Sequence, residues 1–140
     1  MPTETPLTIL VIDDEPPILE MLQRIGQQAF PEASFVGVAS PQQAFAYLND
    51  ELAQQPKLIL LDIDFQQSVN GLDVLPQLRA RLQGKAPIIM FSGHSTDTNI
   101  IQTYEKGAVA YTQKPQDLAG WRAYVERLKT YWHQTVVLPN

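Results

Sequence analysis

Residues 7–17, Leu-Thr-Ile-Leu-Val-Ile-Asp-Asp-Glu-Pro-Pro, pass directly from a short apolar run to paired carboxylates and then to two prolines. The run Leu7–Ile12 is too short for a helix and reads as a buried strand. Pro16 and Pro17 suit the first turn of a helix, where a backbone N–H has no partner to lose. Ile18, Leu22, Ile25 and Ala29 then recur at helical spacing. The reading is strand, then helix, with Asp13 and Asp14 at the strand's mouth.

Working outward, the same alternation repeats. Residues 34–39 form a second strand, and Ser40-Pro41 supplies an N-cap and a first-turn proline for a helix through Ala44, Tyr47 and Leu48. Leu58–Leu61 is a third strand ending on Asp62. A polar loop over 64–70 leads to a helix with Leu72, Leu75, Leu78 and Leu82 on one side. Pro76 lies several residues inside it, which predicts a late start or a kink. Pro87–Phe91 is the fourth strand, Thr96–Lys106 the fourth helix and Ala108–Tyr111 the fifth strand. The last helix carries Leu118, Trp121, Val125, Leu128 and Trp132 at steps of three and four.

Five strand–helix units without an internal repeat imply an α/β fold, a doubly wound five-stranded parallel sheet covered on both faces by helices connected through right-handed crossovers. One domain spans 7–130, with short tails at 1–6 and 131–140.

With 15 acidic and 10 basic residues and no local Lys/Arg cluster, the chain does not offer the basic surface that nucleic-acid binding requires. It has no cysteine, which excludes disulfides and thiolate metal sites. The first six residues lack the basic and apolar regions of a signal peptide, and no apolar run is long enough to cross a bilayer. A cytoplasmic protein without a membrane partner is expected, acting on a protein or on a small anion delivered with a metal.

Asp13, Asp14, Asp62, Ser92 and Lys114 each end or closely follow an apolar run. In a parallel sheet they collect at its carboxyl edge, where open α/β sheets bind ligands. Adjacent carboxylates repel unless a cation is present, so Asp13 and Asp14 read as a metal seat, or one of them as a cap for the helix near Pro16. In a flavodoxin-like strand order of 2-1-3-4-5 the first and third strands are neighbours, and Asp62 joins that crevice. Hard oxygen ligands suit Mg²⁺, and a carboxylate beside it can act as a nucleophile toward phosphorus. Ser92 could then donate to one phosphoryl oxygen and Lys114 pair with another; taken singly they are a loop serine and a surface lysine.

With these residues in view, the chain resembles the CheY-like receiver domains of bacterial two-component response regulators. The resemblance covers about 7–128 and is carried by Val-Ile-Asp-Asp-Glu at 11–15, Leu-Leu-Asp-Ile at 60–63, Asn70-Gly71, Met90-Phe91-Ser92-Gly93 and Lys114-Pro115. It implies a flavodoxin-like, three-layer αβα fold and a regulatory phosphoacceptor domain rather than an enzyme, beyond Mg²⁺-dependent self-phosphorylation from small donors and slow autodephosphorylation. By the same resemblance Asp62 accepts the phosphoryl group, Asp13 and Asp14 hold Mg²⁺, or Mn²⁺ as the alternative ion, with the backbone carbonyl of Asp64, and Ser92 and Lys114 bind phosphoryl oxygens. Tyr111 matches the family's switch aromatic, which turns inward with Ser92 and remodels the face of the fourth helix, fifth strand and fifth helix; its alternative is half-buried strand packing. The implied partners are a histidine kinase or histidine phosphotransfer protein, a downstream protein, and a second copy through that face or the C-terminal tail. Residues 131–139 resemble the ending of phytochrome-associated response regulators, with no output domain expected beyond; the alternative is that Trp132 and Val137 fold back on their own sheet.

Residues 64–69 depart from the family's Met-Pro-Gly-like segment, lacking Pro and running one residue longer, and the Asp64 side chain adds an acid that should strengthen cation dependence. Two alternatives are a pseudo-receiver that binds without phosphorylation and a haloacid-dehalogenase-type phosphatase, whose apolar-Asp-x-Asp motif Leu61-Asp62-Ile63-Asp64 imitates. Gln66 in place of Thr or Val, and metal acids that come early rather than late, count against the phosphatase.

Overall fold

The computed structural model describes residues 7–63, 70–93 and 97–131. Five strands, β1 (Leu7–Ile12), β2 (Ala33–Val38), β3 (Leu58–Asp62), β4 (Ile88–Ser92) and β5 (Ala110–Gln113), alternate with five helices, α1 (Pro16–Ala29), α2 (Pro41–Asn49), α3 (Gly71–Leu82), α4 (Asp97–Glu105) and α5 (Leu118–Thr130). The sheet is parallel in the order β2-β1-β3-β4-β5. This is the expected doubly wound, flavodoxin-like arrangement.

Successive strand residues face opposite sides of the sheet, and the aligned register turns that alternation into two cores. Ile9 pairs with Leu58 and Leu10 with Ile59. Ile9, Val11, Leu58, Leu60, Ile89 and Phe91 pack with residues of α1 and α5. Leu10, Ile12, Ile59, Leu61, Ile88 and Met90 pack instead with residues of α2 and α3. Because both faces are buried, β1 and β3 read as near-continuous apolar runs, with Thr8 the polar exception in β1.

Local details follow the sequence with instructive exceptions. The Ser40 hydroxyl accepts from the Gln43 N–H at 3.1 Å, capping α2 as its position predicts. The third helix does not start late: Asn70 caps it by accepting from the Leu72 N–H at 2.7 Å, and Pro76 lies inside it. β5 starts two residues later than Ala108. The N–H groups of Lys106, Gly107 and Ala108 still bond back to α4, and Gly107 makes the turn at φ 98°. Leu118 is 67% exposed in the first turn of α5, whose buried face is Trp121, Tyr124, Val125 and Leu128. Trp132 and the rest of the tail lie outside the described residues.

Candidate phosphoryl and metal site

Each strand end delivers one part of the site. The Asp13 N–H donates to the Val38 carbonyl at 3.0 Å, extending the β1–β2 ladder by one residue and fixing where β1 stops. Asp62 is the last residue of β3 and pairs with Phe91. Ser92 ends β4, and its carbonyl accepts from the Lys114 N–H at 2.8 Å, which ties the residue after β5 to the same edge.

Lys114 is the organising group. Its Nζ lies 2.9 Å from Asp13 Oδ2, 3.2 Å from Glu15 Oε1 and 3.3 Å from Asp62 Oδ2. The Phe91 ring supports it from below, 5.0 Å from Nζ to the ring centroid. Asp13, Asp62, Ser92 and Lys114 are all buried. Burial works against the Lys114 charge, but the hydrogen bond to Asp13 and the charges of Asp13, Asp62 and Glu15 outweigh it, so its pKa is raised. For Asp13 burial prevails over the Lys114 contact and the Glu15 N–H, and its carboxyl is held above the usual range.

Asp13, Asp14, Glu15 and Asp62 each offer a carboxylate oxygen within 4.8 Å of the others. Oxygens surrounding one Mg²⁺ at about 2.1 Å must lie no more than about 4.2 Å apart, so modest closure around an ion suffices. Four carboxylates facing one ammonium also leave an excess of negative charge that a divalent cation would offset. The donor set therefore fits a hard cation. The N-cap of α1 is Glu15, which makes no side-chain cap bond, and Asp13 Oδ1 accepts from the Glu15 N–H at 2.8 Å.

The backbone beneath Asp62 depends on a glycine. The Gly71 N–H donates to the Ile63 carbonyl at 2.8 Å. A Cβ at Gly71 would collide with the Asp62 carbonyl oxygen and crowd the Ile63 backbone. The Asn70-Gly71 pair thus does two jobs, capping α3 and letting its first turn sit against the end of β3.

The structure brings together Asp13, Asp14, Asp62 and Lys114 as the sequence indicated, with Ser92 buried at the same edge. Asp64 lies outside the described residues. Tyr111 is half-buried on β5 against the α2/α3 side of the core, and its N–H donates to the Tyr104 hydroxyl at 3.2 Å. Sequence reasoning missed Glu15 as a partner of Lys114 and Tyr124 as a buried residue of α5. The Thr112 hydroxyl donates to the Met90 carbonyl at 3.1 Å and contacts the Tyr124 hydroxyl at 2.8 Å. A concavity of about 660 Å³ opens elsewhere, beside Arg79, Gln83, Ile88 and Tyr131, but its described lining includes no carboxylate. The chemistry lies with the acids.

The family model "Response regulator receiver domain" matches residues 9–126. The nitrate/nitrite response regulator protein NarL of Escherichia coli (strain K12) is 34% identical over 122 residues, which cover 84% of this chain and 54% of NarL. The chain spans about half the length of the first curated relatives it matches. Response regulator Rcp1 of Synechocystis sp. (strain ATCC 27184 / PCC 6803 / Kazusa) is 23% identical over 139 residues, covering 96% of this chain and 94% of that protein. The solved Mn(2+)-bound form of response regulator Rcp1 matches with a TM-score of 0.82 at 22% identity, over 96% of this chain and 100% of the other. The phosphorylated cyanobacterial phytochrome response regulator RcpA gives 0.84 at 23% identity, over 97% and 100%. At these identities the structural likenesses speak to the fold.

Proposed function

The chain belongs to the response regulator receiver domain family, and from that membership we propose that it takes a phosphoryl group onto Asp62 from a histidine kinase or a histidine phosphotransfer protein. The observation that carries the proposal is the position of Asp62. It is 1% exposed at the end of β3, 3.3 Å from the Lys114 ammonium, in the same cluster as Asp13 and Asp14.

In this reading an Asp62 carboxylate oxygen attacks phosphorus, the bond from phosphorus to the donor imidazole nitrogen breaks, and the imidazole leaves with its electron pair. Lys114 neutralises one equatorial oxygen and Ser92 donates a hydrogen bond to another. Asp13, Asp14 and Asp62, with the backbone carbonyl of Asp64, would hold Mg²⁺ or Mn²⁺, which supplies positive charge against the phosphoryl oxygens. Without such a cation an anionic donor meets four carboxylates and one ammonium, an arrangement that repels it. The Asp64 side chain would deepen that dependence. Tyr111 would act as the switch aromatic, and output would pass by protein contact with a downstream target or a second copy through the α4–β5–α5 face or the tail at 131–140. Residues 7–130 would form the receiver unit, acting in the cytoplasm. The acidic balance favours protein over nucleic-acid partners, and no described helix is long and apolar enough to cross a membrane.

The test is intact-protein mass after incubation with Mg²⁺ and acetyl phosphate. One added phosphoryl group, absent in Asp62→Asn and without metal, is the expected result. No gain together with no Mg²⁺ binding would favour a pseudo-receiver. Catalytic phosphate release from many monoesters would favour the phosphatase reading, which the family match does not support.

A further inference from the structure

We infer that Glu15 is a positioning residue for phosphoryl transfer, holding the Lys114 ammonium over the reaction centre when the other carboxylates on that ammonium are engaged elsewhere. The inference rests on Asp62 being the acceptor.

An ammonium has three N–H donors. Here Lys114 has three carboxylate partners, Asp13 at 2.9 Å, Glu15 at 3.2 Å and Asp62 at 3.3 Å. Two of these have other work in the reaction. Asp13 belongs to the metal seat, and Asp62 is the nucleophile whose charge becomes part of an acyl phosphate. Glu15 lies within reach of the same cluster but at its solvent edge, with a side chain 51% exposed against 0% for Asp13 and 1% for Asp62. Its backbone is anchored, since the Glu15 N–H donates to Asp13 Oδ1 at 2.8 Å. The Phe91 ring supports the ammonium without selecting which way it points. Once metal and phosphoryl group occupy the buried acids, Glu15 is the carboxylate that keeps the ammonium aimed at the phosphoryl oxygens.

Two competing roles for the same side chain predict other results. As a metal ligand, Glu15 would set cation affinity. As a mere excess negative charge it would slow an anionic donor, so removing it would speed the reaction.

The full chain and its Glu15→Gln and Glu15→Asp variants are phosphorylated with acetyl phosphate and followed by intact mass, while Mn²⁺ affinity is measured separately by calorimetry without donor. For a half-exposed pair, Glu15→Gln should slow phosphorylation about three- to fivefold. Glu15→Asp should recover part of the rate, and Mn²⁺ affinity should stay within about twofold. In a Lys114→Ala background, read over longer incubation, Glu15→Gln should add nothing. A faster rate in Glu15→Gln, a loss of Mn²⁺ affinity beyond about tenfold, or an undiminished effect without Lys114 would each overturn the inference. Normal phosphorylation of both wild type and Glu15→Gln overturns it alone; a wild type that takes no phosphoryl group removes the acceptor reading with it.

Discussion

Lys114 and Asp13 show how burial and charge are balanced residue by residue. Lys114 stays protonated because three carboxylates outweigh its burial, whereas Asp13 is held above the ordinary carboxylate range because its burial outweighs one ammonium. Protons would therefore compete with a metal ion for Asp13. Mg²⁺ affinity measured by calorimetry should fall as pH is lowered toward the carboxylate range, with proton release on binding increasing over the same interval. Lys114→Ala removes the cation from buried acids and should cost about 1–3 kcal/mol in metal-free protein. Mg²⁺ should restore most of that loss in thermal unfolding, and no restoration would argue that the acids do not share an ion. Asp13, Asp14, Asp62, Ser92 and Lys114 were legible in the sequence because each closes or follows an apolar run. Glu15 was not, since an acid between an acidic pair and two prolines looks like any solvated turn residue. Its role emerges only when Lys114 returns to it from the far end of the chain.

At the scale of elements, the start of α3 and the buried face of α5 carry the sharper consequences. Gly71→Ala should destabilise the protein by about 1–3 kcal/mol, because the added Cβ meets the Asp62 backbone rather than a side chain that can rotate away. It should also slow phosphorylation, as the acceptor strand must shift to make room. In α5 the buried Tyr124 hydroxyl donates to Thr112, which itself donates to the Met90 carbonyl, and burial pushes the Tyr124 phenol up to about 12. A raised folded-state pKa means the folded protein retains a proton that the unfolded chain releases. This contribution is full below about pH 10 and is lost as pH rises toward 12, on the order of 2–3 kcal/mol in all. Urea unfolding across that interval should be less pH-dependent in Tyr124→Phe than in wild type. Helix starts marked by Ser40-Pro41 or Pro16-Pro17 were readable because their chemistry is local. The start of β5 was not, because the N–H groups of residues 106–108 belong to the closing turn of α4, and Ala-Val-Ala carries no signal of that. Leu118 misled as well, since spacing places it on the apolar side of α5 but its side chain is exposed in the first turn.

Across the whole molecule, the fold was legible because parallel strands buried on both faces must be apolar throughout, and such runs separated by helical periods admit few topologies. The strand order follows the same logic: β1 and β3 are neighbours, so acids far apart in the chain meet at one edge. The two cores on either side of the sheet leave that edge free to carry charge that neither core would tolerate. Of the clustered carboxylates, Asp62 is the one proposed to take the phosphoryl group. The most direct measurement is borohydride reduction of the protein after phosphorylation with acetyl phosphate and Mg²⁺, followed by peptide mass mapping. Homoserine should replace aspartate at position 62 and at no other acid. Reduction at Asp13, Asp14 or Glu15, with Asp62 left intact, would contradict it.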